Sequence, residues 1–235
     1  MFGAFERSVL PVYRDRRDAG RRLAAELVPL SLTRPLVLAL PRGGVPVGFE
    51  IARTLQGDLD VLLVRKLGVP GHIELAAGAI AGETDADVLY NDDLLRQLGL
   101  TKAGLAASRQ RETAELRRRD ALYHRDRPTV PAQGRDVVVA DDGIATGATV
   151  TAALRRVRRE HPAHLVLAVP VATPEALERL RAEADTVVCP FSPRDFWAVG
   201  QAYNDFAQIE DREVLDLLRA AAAASGRTLR TPGSP

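Results

Sequence analysis

The feature that most constrains the fold is an alternation, without sequence repeat, of short apolar runs, loops rich in small or charged residues, and stretches at helical spacing. The runs are RPLVLALP (34–41), LDVLLVRK (59–66), RDVVVADD (135–142), HLVLAVPV (164–171) and DTVVCP (185–190). They lack the polar alternation of a half-buried strand, so they read as strands covered on both faces. Helical segments separate them: 45–55 runs at helical spacing, and 146–160 and 174–184 are the clearest, the last with Thr173 and Pro174 as cap and first-turn signals. Strands alternating with helices imply right-handed crossovers. The predicted class is therefore α/β, a doubly wound and mostly parallel sheet.

Composition narrows the functional classes. The chain has 235 residues and a formal net charge of +1, so no global field favours nucleic acid. The N-terminal stretch has no signal-peptide apolar core, and no apolar run is long enough to span a membrane; a cytoplasmic protein is expected. The single cysteine, Cys189, cannot form an internal disulfide and reads as a small buried hydrophobe. His161 and His164 have no further ligands at zinc spacing.

Three segments interrupt the alternation. Residues 67–90 are rich in Gly, Pro and acidic residues, and read as a flexible loop (67–82) followed by a short hairpin. Residues 101–122 read as an inserted, charged helix with pairs such as Arg111–Glu115 and Glu115–Arg119. Residues 185–224 read as a strand, an aromatic-rich segment and a terminal helix, and 225–235 as a disordered tail.

The stretch VVVADDGIATGATV (137–150) carries the chemistry. A buried strand ends in Asp141 and Asp142, and the loop Gly143, Ile144, Ala145, Thr146, Gly147, Ala148, Thr149 leads into a helix. Such a loop lets amide N–H groups converge on an anion, with the helix dipole behind them. Thr146 and Thr149 can add hydroxyl donors. Two adjacent carboxylates are costly if buried without partners, and a sugar diol would supply donors to both. The pattern is a sugar-phosphate cradle. Neither G-x-x-x-x-G-K-[ST] nor a G-x-G-x-x-G after a strand occurs.

This stretch resembles the phosphoribosyl-pyrophosphate (PRPP) motif of the type I phosphoribosyltransferases. LALPRGGVPVG (38–48) is similar to the pyrophosphate loop of purine enzymes in that family, and VRKLGVPG (64–71) to the entry of the flexible loop in adenine enzymes. The two ends of the chain resemble an uncharacterised bacterial group of phosphoribosyltransferase-domain proteins. The resemblance implies a Rossmann-like PRPP-binding core over 34–184 and a small hood from the chain ends, with 1–33 a helical contributor. It implies transfer of 5-phosphoribosyl from PRPP to a nitrogenous base, purine-like before pyrimidine, with pyrophosphate released. It also implies Mg²⁺ as cofactor, a homodimer and a place in nucleotide salvage; membrane and nucleic-acid partners are not expected.

In that scheme Arg42, Gly43, Gly44 and Lys66 bind pyrophosphate. Arg42, Arg65 and Lys66 supply charge where the leaving group develops it. Asp141 and Asp142 hold the ribose and touch the metal through water, and residues 143–149 hold the 5′-phosphate. Closure of 67–82 would protect an oxocarbenium-like centre from water. Phe191, Phe196, Trp197, Tyr203 and Phe206 are candidates to line a base site in the hood. The loop position that is aspartate in 6-oxopurine enzymes is Ala145 here, which argues against a hypoxanthine or guanine enzyme of that type. His72 is a candidate proton carrier. The alternative is a regulatory protein that binds PRPP or nucleotide without turnover.

Overall fold

The computed structural model describes residues 12–69 and 72–226, of which 72–75 only in their backbone. In chain order its main elements are α1 (Arg16–Leu27), β1 (Leu36–Ala39), α2 (Gly44–Thr54), β2 (Asp58–Val61), β3 (Arg65–Val69), β4 (His72–Ile80), β5 (Val88–Tyr90) and α3 (Asp92–Gln97). They continue with α4 (Ala106–Tyr123), β6 (Asp136–Ala140), α5 (Ala148–Arg158), β7 (His164–Ala168), α6 (Pro174–Leu180), β8 (Thr186–Val188) and α7 (Asp211–Ala224).

Five strands form a parallel sheet in the order β2-β1-β6-β7-β8. The period of two along each strand divides its residues between two cores. Val37, Ala39, Val138, Ala140, Val166 and Ala168 face a layer of α1, α2 and α7, where Leu23, Ile51 and Leu218 are buried. Leu36, Leu38, Val137, Val139, Leu165 and Leu167 face α5 and α6, against Leu154, Val157 and Leu180. Both faces are covered, which is why these strands read as unbroken apolar runs.

Two expectations need correction. The run 59–66 is not one strand: β2 ends at Val61, and Arg65 opens β3 in a separate antiparallel sheet, β3-β4-β5. Most of 67–82, read as a flexible loop, is regular strand, with β3 and β4 paired through a bulge around Gly68. Small residues there serve close sheet packing: Ala77, Ala79 and Ala81 are buried. A Cβ at Gly78 would lie 2.2 Å from the Leu89 carbonyl oxygen, so glycine permits the approach of β5. Residues 70–71 and the His72 side chain lie outside the described residues, as do 1–11 and 227–235.

The charged helix is α4, preceded by a short 3-10 turn at 103–105. Leu105 and Leu116 bury its narrow apolar side. Glu115 takes Arg119 at 2.8 Å as expected, with Arg118 beside it at 2.7 Å. A cap over one end of the large sheet joins distant parts of the chain. Tyr13 pairs in parallel with Tyr203, and Tyr13, Ala19, Val171, Phe196, Ala202 and Tyr203 bury one another.

Candidate functional site

Loops following β1 and β6 meet at the carboxyl edge of the parallel sheet, where open α/β sheets bind ligands. The β1 loop begins with the Leu40 amide donating to the Ala140 carbonyl (2.9 Å) and contains a cis peptide between Pro41 and Arg42. Gly43 then passes so close to the β6 loop that a Cβ there would lie 2.0 Å from Asp142 Oδ2. The double glycine thus serves close approach, which no side chain would allow. The Gly44 amide turns back to donate to the Leu40 carbonyl (3.0 Å), so it is spent within the turn.

Asp141 and Asp142 are both half-buried. Asp141 accepts from the Asp142 amide at 2.9 Å, and Asp142 accepts from Arg16 Nε of α1 at 2.7 Å. Burial, and then the neighbouring Asp142 charge, push the Asp141 carboxyl well above the usual carboxylate range. Burial also raises Asp142, with Arg16 pulling the other way. Tyr203 Oη donates to the Asp142 carbonyl at 2.5 Å. Its phenol is raised by burial and by the nearby Asp142 charge.

Downstream, the carbonyls of the loop are turned toward α6 and its cap. Thr173 N donates to Ile144 O (3.1 Å), Thr173 Oγ1 to Ala145 O (2.9 Å) and Arg179 Nη2 to Thr146 O (2.8 Å). In a trans peptide the N–H points opposite to the carbonyl. The amides of Ala145, Thr146 and Gly147 therefore point away from those donors. Gly147, at φ 81°, precedes α5 without a side-chain cap, and the first-turn amides of α5 have no intrahelical acceptor. A run of amides at a helix start is a site for an anion.

Beside this edge is a cavity of about 380 Å³ lined by Arg16, Arg42, Gly43, Asp142, Phe206, Gln208 and Ile209. Arg42 is partly exposed there, with Nη1 3.8 Å from Glu210. Neither Arg65 nor Lys66 lines it. Arg65, on β3, gives its guanidinium to Glu112 of α4 at 2.9 Å, and Lys66 lies on the exposed side of the same strand. Of the aromatic candidates, Phe196 and Tyr203 are buried in the cap with Phe191 packed on them, and Trp197 is 82% exposed. Phe206 alone of these borders the cavity. Cys189 is half-buried, and burial pushes its thiol up to about 11. Sequence reasoning missed Arg16, Gln208 and Ile209. Arg16 is one of five arginines between positions 14 and 22, and nothing local distinguishes it.

A family model described as "Phosphoribosyl transferase domain" matches residues 13–206, from the cap residue Tyr13 through the last aromatic at the cavity. The chain belongs to the phosphoribosyl transferase domain family. The Mycobacterium tuberculosis protein named "Putative phosphoribosyl transferase Rv0571c" is 48% identical over 212 residues, which is 90% of this chain and 47% of that protein. The chain thus spans about half the length of that relative. A uracil phosphoribosyltransferase from Pyrobaculum islandicum is 29% identical over 145 residues, covering 60% of this chain and 67% of that protein. Among solved structures, TT1426 from Thermus thermophilus is 48% identical with a TM-score of 0.75, covering 88% of this chain and 97% of that one.

In this phosphoribosyl transferase domain, no group of three or more His, Cys, Asp or Glu among the described residues could hold a metal ion. Asp141 and Asp142 are the acidic pair at the sheet edge described above. Two carboxylates without a third protein ligand fit a Mg²⁺ ion that keeps its waters and arrives on a phosphate-bearing substrate. No helix of the described residues is long and apolar enough to cross a membrane.

Proposed function

We propose that this domain transfers a 5-phosphoribosyl group from PRPP to a nitrogenous base, purine-like before pyrimidine, with release of pyrophosphate. The observation that carries the reading is the meeting, at one sheet edge, of a glycine loop, a carboxylate pair and an outward run of amides at an uncapped helix start. Each has a partner on such a donor. The amides of 145–147 and the first turn of α5 take the 5′-phosphate, with Thr146 and Thr149 adding hydroxyls. Asp141 and Asp142 accept from the ribose hydroxyls. Arg42 and the Gly43 amide face the pyrophosphate, and Lys66 on the β3–β4 hairpin joins them. Asp141 and Asp142 would also hold Mg²⁺ through water, and when bound with pyrophosphate the ion supplies cationic charge against the leaving group.

Bond breaking leaves an oxocarbenium-like ribose and a highly anionic leaving group. Arg42 stabilises the second, while the cap excludes water from the first. A homodimer, a cytoplasmic setting and a role in nucleotide salvage accompany this reading as expectations from the family.

One observation favours a second reading. Arg65, expected to add catalytic charge, is committed to Glu112, as suits a regulatory protein that binds PRPP or nucleotide without turnover. A pyrophosphate-release screen with PRPP and Mg²⁺, across purines, pyrimidines and smaller amines, decides between them. Release with one acceptor class supports transfer. Tight PRPP binding with no release for any acceptor supports the regulatory reading, no PRPP binding refutes transfer, and binding of neither PRPP nor a nucleotide refutes both.

A further inference from the structure

Arg16 stands in the first turn of α1 and is 8% exposed. Its guanidinium reaches across most of the chain. Nε donates to Asp142 Oδ2 at 2.7 Å, Nη1 donates to the Ala207 carbonyl at 2.8 Å, and its face lies 3.7 Å from the centre of the Phe206 ring. Phe206 stacks on Tyr203, centroids 5.0 Å apart, and Tyr203 Oη returns to the Asp142 carbonyl. The contacts close into a ring: Asp142 to Arg16, to Phe206, to Tyr203, and back to Asp142. On its other side the Asp142 carboxylate presses on Gly43.

The cap has backbone ties of its own besides this ring. Val12 and Tyr13 amides both donate to Ala202 O, Asn204 N donates to Tyr13 O, and Asp205 N donates to Arg14 O. What Arg16 adds is a grip on a carboxylate at the cavity. The ion pair is shielded at both ends, with side chains 9% and 14% exposed. A pair so shielded adds little net stability but fixes one geometry firmly. A lysine would not reproduce it, because one ammonium lacks the planar fork that spans Asp142 and Ala207.

We propose that Arg16 is a positioning residue: it sets the Asp142 carboxylate at the cavity wall and makes the sugar-phosphate site depend on the cap. The proposal rests on the phosphoribosyl-transfer reading. It assigns a role in donor binding to a side chain on the acceptor-side cap.

The test is calorimetric titration of the wild-type chain, Arg16→Gln, Arg16→Lys and Tyr13→Phe with PRPP in the presence of Mg²⁺, alongside thermal melts. Tyr13→Phe is the control for cap integrity, since Tyr13 Oη donates to Pro170 O and the side chain has no hydrogen bond to Asp142. Loss of one partner of a buried charge pair should weaken PRPP binding at least about tenfold in Arg16→Gln. Arg16→Lys should recover part of that loss, and Tyr13→Phe should stay within about twofold of wild type whatever its melting point. If Arg16→Gln does not fold, Phe206→Leu replaces it: the ion pair stays, the ring that orients the guanidinium goes, and about threefold weaker binding is expected. Unchanged PRPP affinity in Arg16→Gln, or in Phe206→Leu where that replaces it, overturns the proposal. So does a loss in Tyr13→Phe as large as in Arg16→Gln, which would reduce Arg16 to a strut of the cap. A wild-type chain that does not bind PRPP refutes the transfer reading itself, before Arg16 is reached.

Discussion

Adding one methyl group at Gly43 should disable the site by a route that backbone conformation does not explain. Gly43 has φ −61° and ψ −35°, which alanine adopts freely, so the change carries no backbone strain. The cost is steric. The new Cβ would stand 2.0 Å from Asp142 Oδ2 and 2.6 Å from its Cγ, so the carboxylate must move by more than an ångström. Doing so pulls it off Arg16, 2.7 Å away in a pair shielded from water. Breaking a buried pair costs about 3–5 kcal/mol, and the stiffer unfolded chain returns up to about 1 kcal/mol. The net expectation for Gly43→Ala is a destabilisation of about 2–4 kcal/mol, which lowers Tm by roughly 5–15 °C in a domain of this size. PRPP binding should fall with it. Gly134→Ala is the comparison: Gly134 has φ +67° and open space around it, so its alanine variant carries only local strain, about 1 kcal/mol, and keeps PRPP affinity. Differential scanning calorimetry and PRPP titration read both. A Gly43→Ala protein that melts within about 2 °C of wild type and binds PRPP equally would refute the reasoning, since the carboxylate would then have moved at no cost.

Two further outcomes are expected elsewhere in the molecule. His124 Nε2 is 2.9 Å from Asp60 Oδ1 and Nδ1 is 3.0 Å from Asp120 Oδ1, an arrangement that favours the imidazolium, in which both nitrogens donate. Burial lowers its affinity for the proton, but the Asp60 hydrogen bond and charge outweigh this and the net shift is upward from 6.5. The stability it contributes is therefore complete below pH about 6.5 and is lost as pH rises through the raised folded value. The Tm advantage of wild type over His124→Gln should shrink from pH 6 toward pH 9; parallel Tm–pH curves would reject the imidazolium. Trp197, largely exposed and absent from the cavity wall, should tolerate alanine within about 0.5 kcal/mol and with PRPP affinity intact; a clear loss of PRPP affinity would return it to the site.

The strands of the large sheet were legible because burial on both faces leaves no room for polar residues, so their apolar runs stand out without alternation. The small sheet was not. Gly68 and Gly78 signal a loop in isolation, yet one lies at a bulge and the other makes room for a neighbouring strand. Arg65 was misplaced for the same reason: reading 59–66 as one strand carried it to the sheet edge, whereas the chain leaves the large sheet after Val61. Asp141, Asp142 and the loop after them stood out as a candidate site because their types and order are unusual for a mere connection, and the structure brings them to the sheet edge beside Gly43. The aromatics were not, since Phe196 pointing into a cap core and Phe206 bordering a cavity are alike in sequence. Arg16 was beyond reach: its partner lies 126 positions away, and only the assembled cap brings the two together.

That the cap is knit from two segments distant in sequence, around Tyr13 and around Tyr203, has a consequence for the order in which the molecule comes into being. A nascent chain that has emerged through residue 158 already possesses the carboxylates, the amide run and the glycine turn. Its roof must wait for the segment around Tyr203 and Phe206, and one core layer must wait for α7 to deliver Val214 and Leu218. Until then Arg16 has Asp142 to hold but no ring to rest on. The carboxylates and the amide run are thus made before their enclosure, which closes only when the segment around Tyr203 and Phe206 packs back onto Tyr13 and Arg16.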